Sequence, residues 1–397
     1  MKYDFTTKLS RKEKGSLKWE DMYQKKHDVN HDIVPLSVAD MEFKTAPEII
    51  QGLKEFLNDA VLGYTTATEY YKNIVCSWMK NKHNFDIKNE WIVNTAGVVP
   101  ALFNAISEFT NPGDGVIIMT PVYYPFFKVI QDQGRKIVEC PLIESNETYS
   151  INYSLFEKLA KDETNKILLF CSPHNPVGRV WKREELEKLS DIIIKNKILL
   201  FSDEIHFDLI MSNFTHTVFQ TINEELADKT ITFTSPSKSF NLAGMGISNI
   251  IIKNKNLRNR FVTAINKKWY VPFSILGYKA CELAYQKGEN WLNECLKIIE
   301  ENRNYCINFF KQKYPQIKVY PNEGTYLLWI DFRQLNMSND ELENFMINKA
   351  ELFLDEGYIF GKNGEGFERI NIAIPKSVLK TALERLDIAL KNYKKSL

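Results

Sequence analysis

The sequence predicts an α/β protein: a mostly parallel seven-stranded sheet with helices on both faces, joined to a smaller α+β unit. From about residue 91, short and continuously apolar segments alternate with amphipathic helical ones, the pattern of strands buried on both faces. Five of those apolar segments run straight into residues suited to chemistry, as expected where ligands bind beyond the carboxyl ends of strands in an open α/β sheet. After residue 254 the chain turns helical for a long stretch and regains strand character only in "TYLLWIDF" and "RINIAI", which marks the smaller unit.

Residues 1–46 are mixed, and "IVPLSVADMEF" within them reads as an extended segment and loop. Pro47 opens a helix through "PEIIQGLKEFLNDAV", at a first-turn position where its missing N–H costs nothing. "LGYTTATEYYKNIV" is a Gly-Tyr loop leading into a further helix. The strands follow as "WIVNT", "GVIIMT", "RKIVEC", "KILLFC", "ILLFSDE", "TITFTS" and "ISNIIIK", with helices such as "KREELEKLSDIIIKNK" between several of them. The long helix "WLNECLKIIEENRNYCINFFKQKY" and a closing helix belong to the small unit. The expected division is an N-terminal segment, 1–46, packing with the small unit, a large domain over 47–285 and a small α+β domain over 286–397.

With 397 residues, the chain has room for two domains at roughly 150 residues each. Its 44% apolar and 25% charged residues are ordinary for a globular protein. A net charge of +1 gives no bulk attraction to nucleic acid or to an anionic membrane. The first residues are charged throughout and lack the apolar core of a signal peptide, and no apolar run approaches the ~20 residues of a membrane helix. Six scattered cysteines without a CxxC pair read as reduced thiols, so the expectation is a cytoplasmic protein with neither a disulfide framework nor a metal site.

The strand ends carry the functional reading. "WIVNT" leads into Ala96-Gly97-Val98-Val99, where Gly97 opening a helix offers free N–H groups that suit a phosphate. "GVIIMT" leads to Tyr123, a ring able to stack. "KILLFC" leads to Asn175, "ILLFS" to Asp203 and His206, and "TITFT" to Ser235, Ser237 and Lys238. Singly, each has an ordinary explanation. Gly97 suits a tight turn, the serines and Asn175 are turn formers, Tyr123 and His206 suit a core, Asp203 a salt bridge and Lys238 a solvated surface. Together they make a phosphate cradle, a stacking ring, an amide, a carboxylate and a lysine, the complement of pyridoxal 5′-phosphate.

The sequence also resembles a known family. "VADMEF", "LGYTTATEYY", "TAGVVPAL", "TPVYYPF", "SPHNPVGRVW", "SDEIHFDL", "SPSKSFNLAG", "EGTYLLWIDFR" and "GFERINIAIPKS" are similar to motifs of fold-type I, aspartate aminotransferase-like pyridoxal-phosphate enzymes, over essentially the whole chain. "HNPVGRVW" and "VADMEF" resemble the MalY/PatB class of cystathionine β-lyases, or C–S lyases. The resemblance implies elimination from L-cystathionine or related cysteine S-conjugates, giving a thiol, pyruvate and ammonia. It implies that Lys238 holds the cofactor and takes the substrate α-proton, Asp203 pairs with the pyridine nitrogen and Asn175 bonds the phenolic oxygen. His206 stands where many aminotransferases of this fold carry a tyrosine. Tyr123 would stack on the ring and assist proton traffic at the leaving sulfur, while Gly97, Val98, Val99, Ser235 and Ser237 would hold phosphate. Tyr64 would reach a phosphate of the neighbouring subunit in a homodimer. Arg369 would grip the substrate carboxylate, with Ala39 and Asn175 beside the substrate. Many aminotransferases of this fold place a phosphate-binding arginine eight residues after the lysine, and Gly246 stands there, which favours elimination over transamination. The rival readings are a class I/II aminotransferase and a regulatory protein keeping the enzyme scaffold. The glycine-rich "GKNGEGFE" lacks the strand–helix context of a dinucleotide fingerprint and reads as a mobile loop leading to Arg369.

Overall fold

The computed structural model describes residues 2–145, 148–267 and 274–396. All seven expected strands are present: β1 (Ile92–Thr95), β2 (Gly115–Ile118), β3 (Lys136–Glu139), β4 (Asn165–Cys171), β5 (Leu199–Asp203), β6 (Thr230–Thr234) and β7 (Ser248–Ile251). They form one sheet in the order β1-β7-β6-β5-β4-β2-β3. Only β7 runs against both of its neighbours; the other pairings are parallel.

Both faces of this sheet are apolar, and they alternate residue by residue. Ile117, Leu168, Phe170 and Leu200 pack with Leu186, Leu189 and Ile193 of the helix Arg183–Lys195. Val116, Ile118, Leu169 and Phe201 pack on the other side with Ala101, Leu102 and Ala105 of the helix Val98–Phe109. Two covered faces explain why the strands read as unbroken apolar runs rather than as alternating ones.

A second, antiparallel sheet is built from β8 (Lys318–Tyr320), β9 (Leu327–Asp331), β10 (Asp355–Glu356) and β11 (Phe367–Asn371), in the order β8-β9-β11-β10. The long helices Glu289–Lys313 and Lys376–Ser396 accompany it. Strands β8 and β10 carry no sequence signal because three or two residues cannot establish a period.

In the N-terminal stretch, read only as mixed, Leu17–Lys25 is helical, while residues 33–43 are irregular as expected. That helix places Lys18 in the interior, 0% exposed, with Nζ 2.8 Å from Asp40 and 2.9 Å from Glu42. Arg11 bonds the same two carboxylates from the other side. The segment around residue 40 is also tied to the second sheet, where Leu36 donates to the Phe353 carbonyl and accepts from the Asn371 N–H, at 2.8 and 2.9 Å. Breaking a buried ion pair from one side leaves uncompensated charge, so Lys18→Ala is expected to lower stability by about 3 kcal/mol. A urea midpoint equal to that of the wild type would contradict this.

Candidate active site

The carboxyl ends of β1, β2, β4, β5 and β6 converge on one cavity of about 180 Å³. Its wall contains Ala39, Gly97, Val98, Val99, Tyr123, Asn175, Asp203, His206, Ser237 and Lys238. Residues as far apart in sequence as Gly97 and Lys238 thus meet because parallel strands deliver all of their ends to one edge, and Ala39 joins them from the N-terminal segment. Gly97 precedes the helix Val98–Phe109, whose first N–H groups carry the positive end of its dipole towards the cavity.

The two consecutive carboxylates after β5 have opposite fates. Glu204 accepts from the Ser202 hydroxyl at 2.8 Å and the Phe219 N–H at 3.0 Å, and its other oxygen lies 2.7 Å from His216 Nε2. Asp203 is 2% exposed and accepts from the Ile205 N–H at 3.2 Å, with no cation bonded to it among the described residues. Burial raises its carboxyl to about 7. A buried carboxylate in this state is stabilised by any cation brought beside it.

The other polar groups of the cavity are similarly short of partners. Lys238 Nζ donates to the Ala39 carbonyl at 2.7 Å, and burial lowers the ammonium to about 8. His206 is buried, its Nδ1 has no partner, and burial together with Lys238 and Arg369 holds its imidazole neutral. Burial raises the Tyr123 phenol, which keeps its proton. The Asn175 amide oxygen accepts from Arg369 Nη1 at 2.8 Å. That leaves the amide N–H groups as the donors on the cavity side.

Three of the expected residues stand outside the lining of this cavity. Ser235 is fully buried behind Ser237; its hydroxyl donates to the Ile247 carbonyl at 2.7 Å and caps the helical turn Pro236–Ser239 by accepting from Ser237 N–H. It therefore does not reach the cavity wall, because the turn that presents Ser237 consumes it. Tyr64 lies fully exposed on the loop before the helix Glu69–His83, remote from this chain's own cluster. Arg369 sits one layer back, behind Asn175, with Nε and Nη2 on Asp355 at 3.2 and 2.6 Å. The glycine-rich stretch expected as a mobile loop, residues 361–368, holds the 3₁₀ turn Lys362–Gly364 and runs into β11. Phe360, just before it, is buried beneath the Arg369 guanidinium, 4.8 Å away, and its carbonyl accepts from the Val122 N–H.

Sequence reasoning missed three supports of the site. The Tyr326 hydroxyl donates to the same Ala39 carbonyl as Lys238, at 2.8 Å. Asn371 donates to the carbonyls of Val38 and Asp40. Asp355 holds Arg369. The signal available for the first two was "VADMEF" itself, an apolar loop whose backbone had to bond to something.

Residues 31–386 match the family described as aminotransferase class I and II. The chain belongs to this family. Among its members, the chain is 36% identical over 359 residues to cystathionine beta-lyase PatB of Bacillus subtilis, covering 90% of this chain and 93% of that protein. It superposes on cystalysin from Treponema denticola, solved with a pyridoxal 5′-phosphate cofactor, with a TM-score of 0.98 and 59% identity, over 99% of this chain and 100% of that one. It is likewise similar to the PLP-bound C–S lyase from Staphylococcus hominis, with a TM-score of 0.90 and 32% identity over 98% of this chain and 99% of that one. For a member of this family, the unpaired Asp203 carboxylate and the partnerless His206 nitrogen fit a cofactor that brings its own charges and acceptors.

Proposed function

We propose that this chain is a pyridoxal 5′-phosphate-dependent C–S β-lyase acting on L-cystathionine or related cysteine S-conjugates. The observation that carries the reading is the convergence on one cavity of a lysine, a carboxylate without a cation, an uncharged imidazole and an aromatic ring, with Arg369 one layer behind. Bound there, the cofactor supplies an electron sink for negative charge developing at the substrate α-carbon. In this reading Val98, Val99 and Ser237 hold its phosphate, Tyr123 covers its ring and Asp203 pairs with its ring nitrogen. Asn175 donates to the phenolic oxygen, with the neutral His206 beside it.

Arg369 orients the substrate by its carboxylate. Lys238, whose ammonium burial lowers to about 8, gives up its proton far more readily than an exposed lysine and in its neutral form takes the α-proton. The Cβ–S bond then breaks with its electrons on sulfur, the thiol leaves protonated, and water converts the remaining three-carbon fragment to pyruvate and ammonia. The reading is tested by incubating purified protein with L-cystathionine and no keto acid. Pyruvate, ammonia and homocysteine in equal amounts are expected; dependence on an added keto acid contradicts the reading and indicates transamination.

Arg369→Lys keeps the charge but loses the planar fork, so KM should rise roughly 10- to 100-fold while cofactor content stays unchanged. Equal KM values would remove Arg369 from substrate binding. We further propose a homodimer in which Tyr64 reaches the partner's cofactor. Support comes from the exposed Val61, Leu62 and Tyr64 in one loop, an apolar run that a second copy would cover. Tyr64→Phe should then weaken cofactor binding without dissociating the dimer, by light scattering and cofactor titration; unchanged affinity would discount the cross-subunit contact. A cytoplasmic location is supported by six unpaired cysteines, five of them buried, and no helix among the described residues is long and apolar enough to cross a membrane. A division at 47–285 and 286–397, with 1–46 against the latter, is supported by the two sheets and the Leu36 hydrogen bonds.

A further inference from the structure

Asp355 stands on β10 directly opposite Arg369 on β11. A single oxygen of it, Oδ2, receives three donors: Arg369 Nη2 at 2.6 Å, Arg369 Nε at 3.2 Å and the Val38 backbone N–H at 2.9 Å. The strand separates its two carboxylates by side. Asp355 turns inward to this cluster, while Glu356 pairs with Lys25 on the other side. The guanidinium is thereby gripped from two directions, its Nε–Nη2 edge by Asp355 and its Nη1 by Asn175. Of its five donors in a rigid plane, those left for a ligand lie along the Nη1–Nη2 end.

The third donor connects this clamp to the lysine. Val38 has φ 53°, a left-handed conformation that a β-branched residue adopts only when its surroundings enforce it. Asp355 holds its N–H and Asn371 holds its carbonyl. The next residue, Ala39, presents the carbonyl that accepts from Lys238 and Tyr326. Hydrogen bonds, with the Val38–Ala39 peptide link among them, therefore connect Asn175, Arg369, Asp355, Val38, Ala39 and Lys238 without a break.

We propose that Asp355 is a positioning residue for α-carboxylate recognition, fixing the side edge of Arg369 so that the carboxylate is met end-on and locking the strained Val38–Ala39 segment in register with it. The proposal rests on the amino-acid lyase reading above. An ion pair kept only for stability would affect all ligands alike, whereas a positioning role acts only on ligands that carry the carboxylate.

The test uses the cofactor-loaded protein and two ligands without a leaving group, L-alanine and L-alaninamide, with binding read from the change in cofactor absorbance. Asp355→Ala is expected to weaken L-alanine by roughly tenfold or more, the loss of about one charge-assisted hydrogen bond. L-alaninamide should change by less than about threefold, within the scatter expected when no such bond is lost. Asp355→Asn keeps an acceptor oxygen in place and should recover most of the L-alanine affinity. Should Asp355→Ala not yield folded protein, Asp355→Ser, with a hydroxyl too short to reach the guanidinium, carries the same expectation. Equal losses for both ligands, or an asparagine variant as weak as the alanine one, would overturn the proposal. Failure of the lyase reading would look different: a wild-type protein that holds no cofactor or forms no pyruvate.

Discussion

Lys238→Ala is expected to lower the rate of pyruvate formation from L-cystathionine by about 10³-fold or more, because one side chain is asked both to hold the cofactor and to move the α-proton. The structure gives the reason that no neighbour substitutes for it. His206 is the nearest alternative base in kind, but burial, with Lys238 and Arg369 nearby, disfavours its protonated form and so makes it a weak proton acceptor, and its Nδ1 has no partner that could orient it. Tyr123 keeps its proton, raised by burial, and so offers no base near neutral pH. The variant should nevertheless fold, since Lys238 makes one hydrogen bond and the Ala39 carbonyl keeps its second donor, Tyr326. Retention of more than about a tenth of wild-type activity, well short of what general-base catalysis contributes, would assign the proton transfer to another group.

Asp203→Asn is the second large effect. In the proposed site the carboxylate would pair with a protonated ring nitrogen, and removing one preorganised charge of that kind costs about 3–4 kcal/mol in the transition state, or roughly 10²–10³ in kcat. The same substitution has a consequence in the cofactor-free protein. Burial raises the Asp203 carboxyl from 3.8 to about 7, so the folded chain holds a proton that the unfolded chain has released. Folding therefore loses stability as pH rises through that window, and asparagine is exempt. The melting temperature of the apo variant should exceed that of the apo wild type by a margin that widens between pH 4 and pH 7, and cofactor should shrink the margin. A constant difference across that range would mean that Asp203 is already compensated without the cofactor.

The large sheet was legible because both of its faces are covered, which turns each strand into an apolar run such as "KILLFC". The reversal of β7 was not, since "ISNIIIK" reads the same in either direction. The helix Leu17–Lys25 escaped because its core contribution includes a lysine, and a buried Lys18 is credible only once Asp40 and Glu42 are seen beside it. In the site, the residues that end strands could be read, because parallel strands send their chemistry to one edge. Ser235, one step along the same turn, could not be told from Ser237 in the sequence, although its hydroxyl is turned to the Ile247 carbonyl. Asp355 could not be read at all: its importance comes from Arg369, fourteen residues away across a two-residue strand, and from Val38, at the far end of the chain.

If these strand ends assemble a cofactor site around Lys238, borohydride reduction of the purified protein followed by peptide mapping should fix the cofactor to that residue. One pyridoxyl-phosphate adduct per chain is expected, on the peptide carrying Ser235–Pro236–Ser237–Lys238. No adduct, or an adduct on any other lysine, would contradict it.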